Sequence, residues 1–179
     1  MTMKYMLLIA MFFFITSCSP KFSEQDITQA VNNVDAPFGA GLLTFQISSD
    51  TSLNSLNDIS NSCTLLFLQA SDKKSLQDLM NNPLLIKQFF SGVGKADGIL
   101  KVDKYIAMPG QNITLHIDRS EGAKYVGVIA GYYPFPGKQH MMLLDITVDV
   151  VEDGWWNKSL HTSLSPLFKN IFLGKESIK

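Results

Sequence analysis

Three histidines and two cysteines hold most of the reactive chemistry in this chain, and their placement speaks against catalysis. His116, His140 and His161 are scattered. None has a second histidine or carboxylate at a ligand spacing such as HExxH, which sets two imidazoles on one helix face. Each is expected on the surface or at a strand edge. Cys63 sits in the apolar run CTLLFLQ, where a thiol with no electropositive setting is inert and packs as a small core residue. Gly92-Val93-Gly94-Lys95 lacks the GxxxxGK[ST] spacing of a phosphate loop and a strand before it, so it reads as a flexible helix exit. No GxSxG element occurs. These residues predict no enzyme, no cofactor and no metal site. Nothing in a net charge of −1 suggests nucleic acid, whose binders carry a basic stripe.

The other cysteine is placed for a different reaction. The apolar run from Tyr5 to Ile15, preceded by Lys4, is too short for the roughly 20 residues of a membrane-spanning helix. It fits the charged and apolar regions of a secretory signal. It ends in Ile15-Thr16-Ser17-Cys18, which resembles a bacterial lipobox, where the thiol is acylated and the peptide before it is cut. Small residues are needed there because the peptidase must bring the backbone close to its catalytic groups. The resemblance implies a chain anchored at Cys18 by three acyl chains. Each buried methylene contributes about 0.8 kcal/mol, and a single chain holds only weakly. Ser19 stands where an inner-membrane retention signal would place Asp, which favours the outer membrane. With Cys18 acylated, Cys63 has no intrachain disulfide partner.

A folded body must then stand behind the anchor. Residues 1–17 read as the signal and 18–41 as the lipidated N-terminus and a polar tether, with a short helix at Glu24–Val31. Residues 42–179 read as one folded domain, long enough for a sizeable core. Leu43, Phe45 and Ile47 alternate with Thr44 and Gln46. Ile113, Leu115 and Ile117 alternate with Thr114, His116 and Asp118. Met142, Leu144, Ile146, Val148 and Val150 make the longest such series. A period of two marks half-buried strands, whereas CTLLFLQ and YVGVIAGYY are apolar on both faces, as central strands can be. Met108-Pro109-Gly110-Gln111 predicts a turn, Ser120-Glu121-Gly122 a hairpin, and Pro134-Phe135-Pro136-Gly137 the end of a strand. Ser71 or Asp72 caps a helix bearing Leu76, Leu79 and Met80. Pro83 starts another with Leu84, Leu85, Ile86, Phe89 and Phe90, which Gly92 stops. SLHTSLS and LFKNIFLG read as short terminal elements.

The order of these features is more specific than any one of them. Leu53-Asn54 and Leu56-Asn57 come after the first strand, and Leu66-Phe67-Leu68-Gln69-Ala70 closes the second ahead of a helical SLQDLM segment. Met108-Pro109-Gly110, ITLHIDRSEGAK and Tyr125-Val126-Gly127-Val128-Ile129-Ala130-Gly131-Tyr132 come next. From about Leu42 to Tyr133 this series resembles the type VI secretion outer-membrane lipoprotein family, TssJ/SciN/VasD. After Tyr132 the chain reads YPFPGKQHMM, where the family shows charged residues and a Trp.

The resemblance implies a mainly β fold, a two-sheet β-sandwich (transthyretin-like) with a small helical insertion after the second strand. It also implies a structural role: a periplasmic domain, held in outer-membrane lipid through its acyl chains, that binds the C-terminal periplasmic region of an inner-membrane TssM-like protein. In the family the β1–β2 loop makes that contact. Carried onto this chain the loop is Ser49–Asn61, with Leu53, Asn54, Leu56, Asn57 and Ile59 as contact residues. Long ordered loops often bind, and these aliphatics alternate with Asn, Ser and Asp like knobs within a polar rim. The other reading is a solvated loop with those aliphatics folded back on the sandwich. Trp155-Trp156 reads equally as an interface or as a cap on the core. The alternative function is an outer-membrane lipoprotein whose sandwich binds a small ligand or serves another envelope complex.

Overall fold

Leu43, Phe45 and Ile47 are buried and Gln46 is exposed, as the period of two requires of a strand with one wet face. The computed structural model describes residues 22–155 and 158–179. In chain order it contains α1 (Glu24–Asn32), β1 (Gly39–Ser49), β2 (Cys63–Ala70), α2 (Lys73–Met80), α3 (Pro83–Ser91), β3 (Ile99–Ala107), β4 (Asn112–Arg119), β5 (Tyr125–Ala130), β6 (Met141–Asp145), β7 (Val148–Asp153), β8 (Ser159–Leu164) and β9 (Leu167–Leu173). One sheet has the order β4-β1-β9, with β1 antiparallel to β4 and parallel to β9. The other has the order β3-β2-β5-β6 and is antiparallel throughout. β7 and β8 form a two-stranded sheet of their own.

The sheets face each other through an apolar core. Phe45, Ile47, Ile117 and Ile171 from the first meet Leu65, Phe67, Val126 and Val128 from the second. The Phe45 and Phe67 rings are 4.6 Å apart at a tilted 44°, a favourable aromatic geometry. The opposite face of β2 is apolar too, and there Leu66, Leu68 and Ile129 pack against Leu76 and Leu79 of α2 and Ile86 and Phe89 of α3. The fold is a two-sheet β-sandwich with a helical layer inserted after its second strand. Asp72 caps α2 by accepting the Ser75 N–H at 2.8 Å. Asn82 caps α3, Pro83 opens it, and Gly92 ends it at φ 86°.

Three expectations change. The folded body, expected from Leu42, starts earlier: Val34 and Ala36 are buried in the core and β1 opens at Gly39. Hydrogen bonds to its backbone hold this stretch, the Gly122 N–H donating to Ala36 O at 2.7 Å and Arg119 Nη2 to Pro37 O at 3.2 Å. The Met142–Val150 series is not one strand. β6 stops at Asp145, opposite Tyr125, the first residue of β5; beyond it the chain leaves that ladder and continues as β7, in another sheet. Ser120-Glu121-Gly122 is not a hairpin, because β4 and β5 belong to different sheets.

Gln69 makes that crossing possible. Its fully buried side chain donates to Asp118 O at 2.9 Å and accepts the Ser120 N–H at 2.8 Å, joining β2 of one sheet to the end of β4 in the other. The described residues divide into two compact units: 22–33 with those of 150–161, and Val34–Asp149 with Thr162–Lys179. In the first unit, Ser23 and Asp26 form a reciprocal capping box that starts α1, the helix expected at Glu24–Val31. Gln69→Ala removes the partner of the part-buried Ser120 N–H and leaves Asp118 O with the Lys101 Nζ contact at 3.5 Å. It is expected to lower stability by about 2 kcal/mol in urea unfolding with an unchanged m-value.

Candidate interaction surface

The chain is pinned as soon as it leaves β1. The Asp50 N–H donates to Leu173 O at 2.8 Å, and its carboxylate accepts the Ser52 N–H and hydroxyl, each at 2.7 Å. Those bonds, the backbone one first, hold the carboxyl below its ordinary value. The turn they close drives Leu53 inward, where it is 0% exposed within the sandwich core. Leu53, expected among the contact residues, is therefore a core residue that no partner reaches. Asn54 is also committed internally: its Nδ2 donates to Ser62 O at 2.9 Å and its Oδ1 accepts the Tyr133 N–H at 2.8 Å.

Beyond Asn54 the loop turns outward. Leu56 and Ile59 exchange both backbone hydrogen bonds, at 2.9 and 3.0 Å, around Asn57 and Asp58 at φ 52° and 61°. Two consecutive positive φ values match the twist of a tight hairpin, and Asn and Asp tolerate them better than most residues. The hairpin presents Leu56 and Ile59, 42% and 68% exposed. Its base is tied by Asn61, whose N–H donates to Leu53 O and whose Nδ2 donates to Asn54 O and Ile59 O. The Asp58–Lys175 pair, 3.8 Å apart and exposed, adds little.

The β5–β6 connection lies against this loop through the Asn54–Tyr133 bond, and its Tyr133 and Phe135 are exposed. Together with Ser55, Gln139 and Lys175 they border an open cleft of about 530 Å³. Below it, Tyr132 and His140 stack with ring centroids 4.6 Å apart. The Tyr132 hydroxyl lies 2.9 Å from Gly174 O and 3.0 Å from Ser177 O. His140, expected on the surface, is buried: Nδ1 accepts the Gly137 N–H at 2.8 Å, so Nε2 carries the proton and donates to Glu176 O at 2.7 Å. Sequence reasoning missed the part played by YPFPGKQHMM here. The signal available was its aromatic and proline content in a stretch that is otherwise a polar turn.

The remaining candidates resolve plainly. His116 is exposed beside Thr44, and His161 is exposed beside Ser159. Cys63 is buried, and loss of water pushes its thiol up to about 12 from 9.0. Burial likewise raises Tyr132 above its ordinary value. Among the described residues no group of His, Cys, Asp or Glu is arranged to hold a metal ion. No described helix is long and apolar enough to cross a membrane. Trp155 is 88% exposed, which removes the core reading for that residue. Cys18 and Trp156 lie outside the described residues.

The fold is a two-sheet sandwich that carries an exposed apolar hairpin and, next to it, the exposed aromatic side chains of Tyr133 and Phe135. Comparison with known proteins is specific. The family model described as Type VI secretion lipoprotein, VasD, EvfM, TssJ matches residues 42–153, and the chain belongs to that family. The match extends past Tyr133 to the end of β7. The fold is similar to Serratia marcescens Lip, a membrane-bound component of the type VI secretion system, at TM-score 0.57 and 16% identity over 76% of this chain and 94% of that one. Pseudomonas aeruginosa TssJ1, a type VI lipoprotein, gives 0.55 and 14% over 80% and 94%. A chain in the structure of the TssM C-terminal domain from EAEC gives 0.55 and 16% over 76% and 94%. No curated protein sequence matches the chain.

Leu53→Ala is expected to cost about 3 kcal/mol by opening a core cavity, whereas Leu56→Ala stays within about 0.5 kcal/mol. Urea titration of the two variants separates core from surface. For Cys63 and Tyr132 the raised values mean that their contribution to stability is complete below the unfolded-state values, near 9.0 and 10.0, and fades as pH climbs toward the folded ones. The urea midpoint should fall above about pH 9, less steeply in Cys63→Ala.

Proposed function

We propose that this chain is a non-enzymatic lipoprotein of the type VI secretion membrane complex, anchored in the outer membrane by acylated Cys18 and facing the periplasm. In this reading the signal is residues 1–17, and the folded domain binds the periplasmic part of an inner-membrane TssM-like protein. Family membership supports the secretion role. The observation that carries the contact site is the hairpin of Leu56 and Ile59, exposed at its tip and fixed at its base by Asp50, Leu53 and Asn54. Exposed apolar side chains on a pre-ordered turn lose little entropy on binding, and a few such anchors carry most of an interface's energy. Asn54 and Leu53 act in this reading as supports for the hairpin, while Asn57 supplies its positive φ.

The test is co-purification of the tagged lipoprotein from detergent-solubilised envelopes. A TssM-like protein is expected in the eluate, reduced about tenfold or more by Leu56→Asp with Ile59→Asp, in a domain whose urea midpoint is unchanged. Equal recovery with the double variant would remove the hairpin from the interface. Recovery of the lipoprotein alone would remove the partner.

A further inference from the structure

The outer face of the β4-β1-β9 sheet takes no part in the core or in the contact proposed above. Side chains alternate across a strand, so Leu43, Phe45 and Ile47 enter the core while Thr44, Gln46 and Ser48 point outward. Residues directly opposite on neighbouring strands share a face. The register therefore sets His116, Thr114 and Asn112 of β4 along one side of that central row, and Phe168, Asn170 and Phe172 of β9 along the other. Phe168 and Phe172 are 59% and 42% exposed. An open depression of about 580 Å³ lies over this grid, bordered by Gln46, Ser48, Asn112, Thr114 and Asn170.

The composition of the grid selects a ligand. None of its side chains is Asp, Glu, Lys or Arg, although a soluble surface is ordinarily about a quarter to a third charged. Charges stand at its margins: Asp118, whose Oδ1 accepts the Gly41 N–H at 2.8 Å, and Lys179, which exchanges both backbone hydrogen bonds with Phe172 at 2.8 and 2.9 Å. A face without charge offers nothing to nucleic acid or anionic lipid. With polar residues between its two rings, it also lacks the apolar centre of a protein interface. Its groups are amides and hydroxyls, each both donor and acceptor, beside two phenyl rings. Thr44 Oγ1 and His116 Nδ1 bond each other at 3.2 Å. The amides of Gln46, Asn112 and Asn170 have no hydrogen bond among the described residues, whereas those of Asn54, Asn61 and Gln69 are committed to the fold.

We infer that this face binds an uncharged glycan of N-acetylated sugars, the chemistry of a cell-wall glycan strand. A sugar ring has an apolar C–H face that packs on an aromatic ring, where the π cloud is negative. Its hydroxyl and acetamido groups match side-chain amides, which pair with a donor and an acceptor at once. Phe168 and Phe172 are about 13 Å apart along their strand. One sugar cannot reach both, so the ligand is a chain of several running along β9, with Asn170 between the stacking points and Gln46 beside them. The periplasmic position proposed above supplies the source of the glycan. Binding in a purified system does not depend on that reading.

For the test, the purified full-length lipoprotein in detergent is sedimented with isolated peptidoglycan sacculi, either intact or stripped of their stem peptides by an amidase. It is expected to pellet with both, equally at low and high salt, and to be displaced by a soluble N-acetylglucosamine tetramer. Phe168→Thr with Phe172→Thr, which keeps β propensity, should weaken retention about tenfold or more at an unchanged urea midpoint. Gln46→Ala should weaken it in the same direction, and carries the test alone if the double variant fails to fold. Leu56→Asp with Ile59→Asp should pellet as the unsubstituted chain does, so that failure of the partner contact and failure of the glycan site are separate results. No pelleting, or pelleting that the tetramer leaves unchanged, overturns the inference. Pelleting lost on amidase treatment overturns it too, assigning the binding to the peptides. Retention undiminished by the substitutions removes this face from the site.

Discussion

Cys63–Ala70 is apolar on both of its faces, and most of the architecture is the consequence of having to bury them together. Leu65 and Phe67 point one way, Leu66 and Leu68 the other, and all four are shut off from water. Full burial of each such side chain is worth about 1.5–3 kcal/mol, so a strand of this kind is stable only with cover above and below and a neighbour on each side. β3 and β5 flank it, the β4-β1-β9 sheet covers one face, and α2 and α3, next in the chain, cover the other. Gln69, the polar residue in this strand's buried set, bonds the two sheets together where the chain passes between them.

That frame explains how a loop of serines, asparagines and three aliphatics becomes a defined surface. Leu53 belongs to the same core as Phe67, and its burial fixes where the chain must emerge. Asn54 bridges the loop to the β5–β6 connection, and Asn61 closes the base, so Leu56 and Ile59 are held out by structure anchored in the sandwich. Tyr132 and His140 do the same for the neighbouring C-terminal segment by capturing its carbonyls. The hairpin and the C-terminal segment are thus held by hydrogen bonds to a packed scaffold, and a partner docking on the hairpin as proposed would have little order left to acquire on association.

What the sequence made legible was whatever a local period encodes. β1 and β4 each keep one face wet, so their alternation is clean, and the helix caps Asp72, Asn82 and Gly92 act within a single turn of chain. The loop was legible as a loop but not in its parts. Leu53, Leu56 and Ile59 sit in near-identical surroundings of Asn, Ser and Asp, and what separates them is the turn at Asp50, fixed by Leu173 far along the chain. The Met142–Val150 series misled because alternation says nothing of where a partner strand ends. His140 looked exposed because its two partners, Gly137 and Glu176, are backbone groups that no residue type announces.

Hydrogen exchange of the folded domain, alone and with the periplasmic C-terminal region of the TssM-like partner, addresses the central claim most directly. The account predicts new protection over Leu56–Ile59 and at Tyr133 and Phe135, with exchange along the outer face of β9, where Phe168 and Phe172 are exposed, unchanged. Protection centred on β9 instead, with the hairpin exchanging as in the free protein, would contradict it.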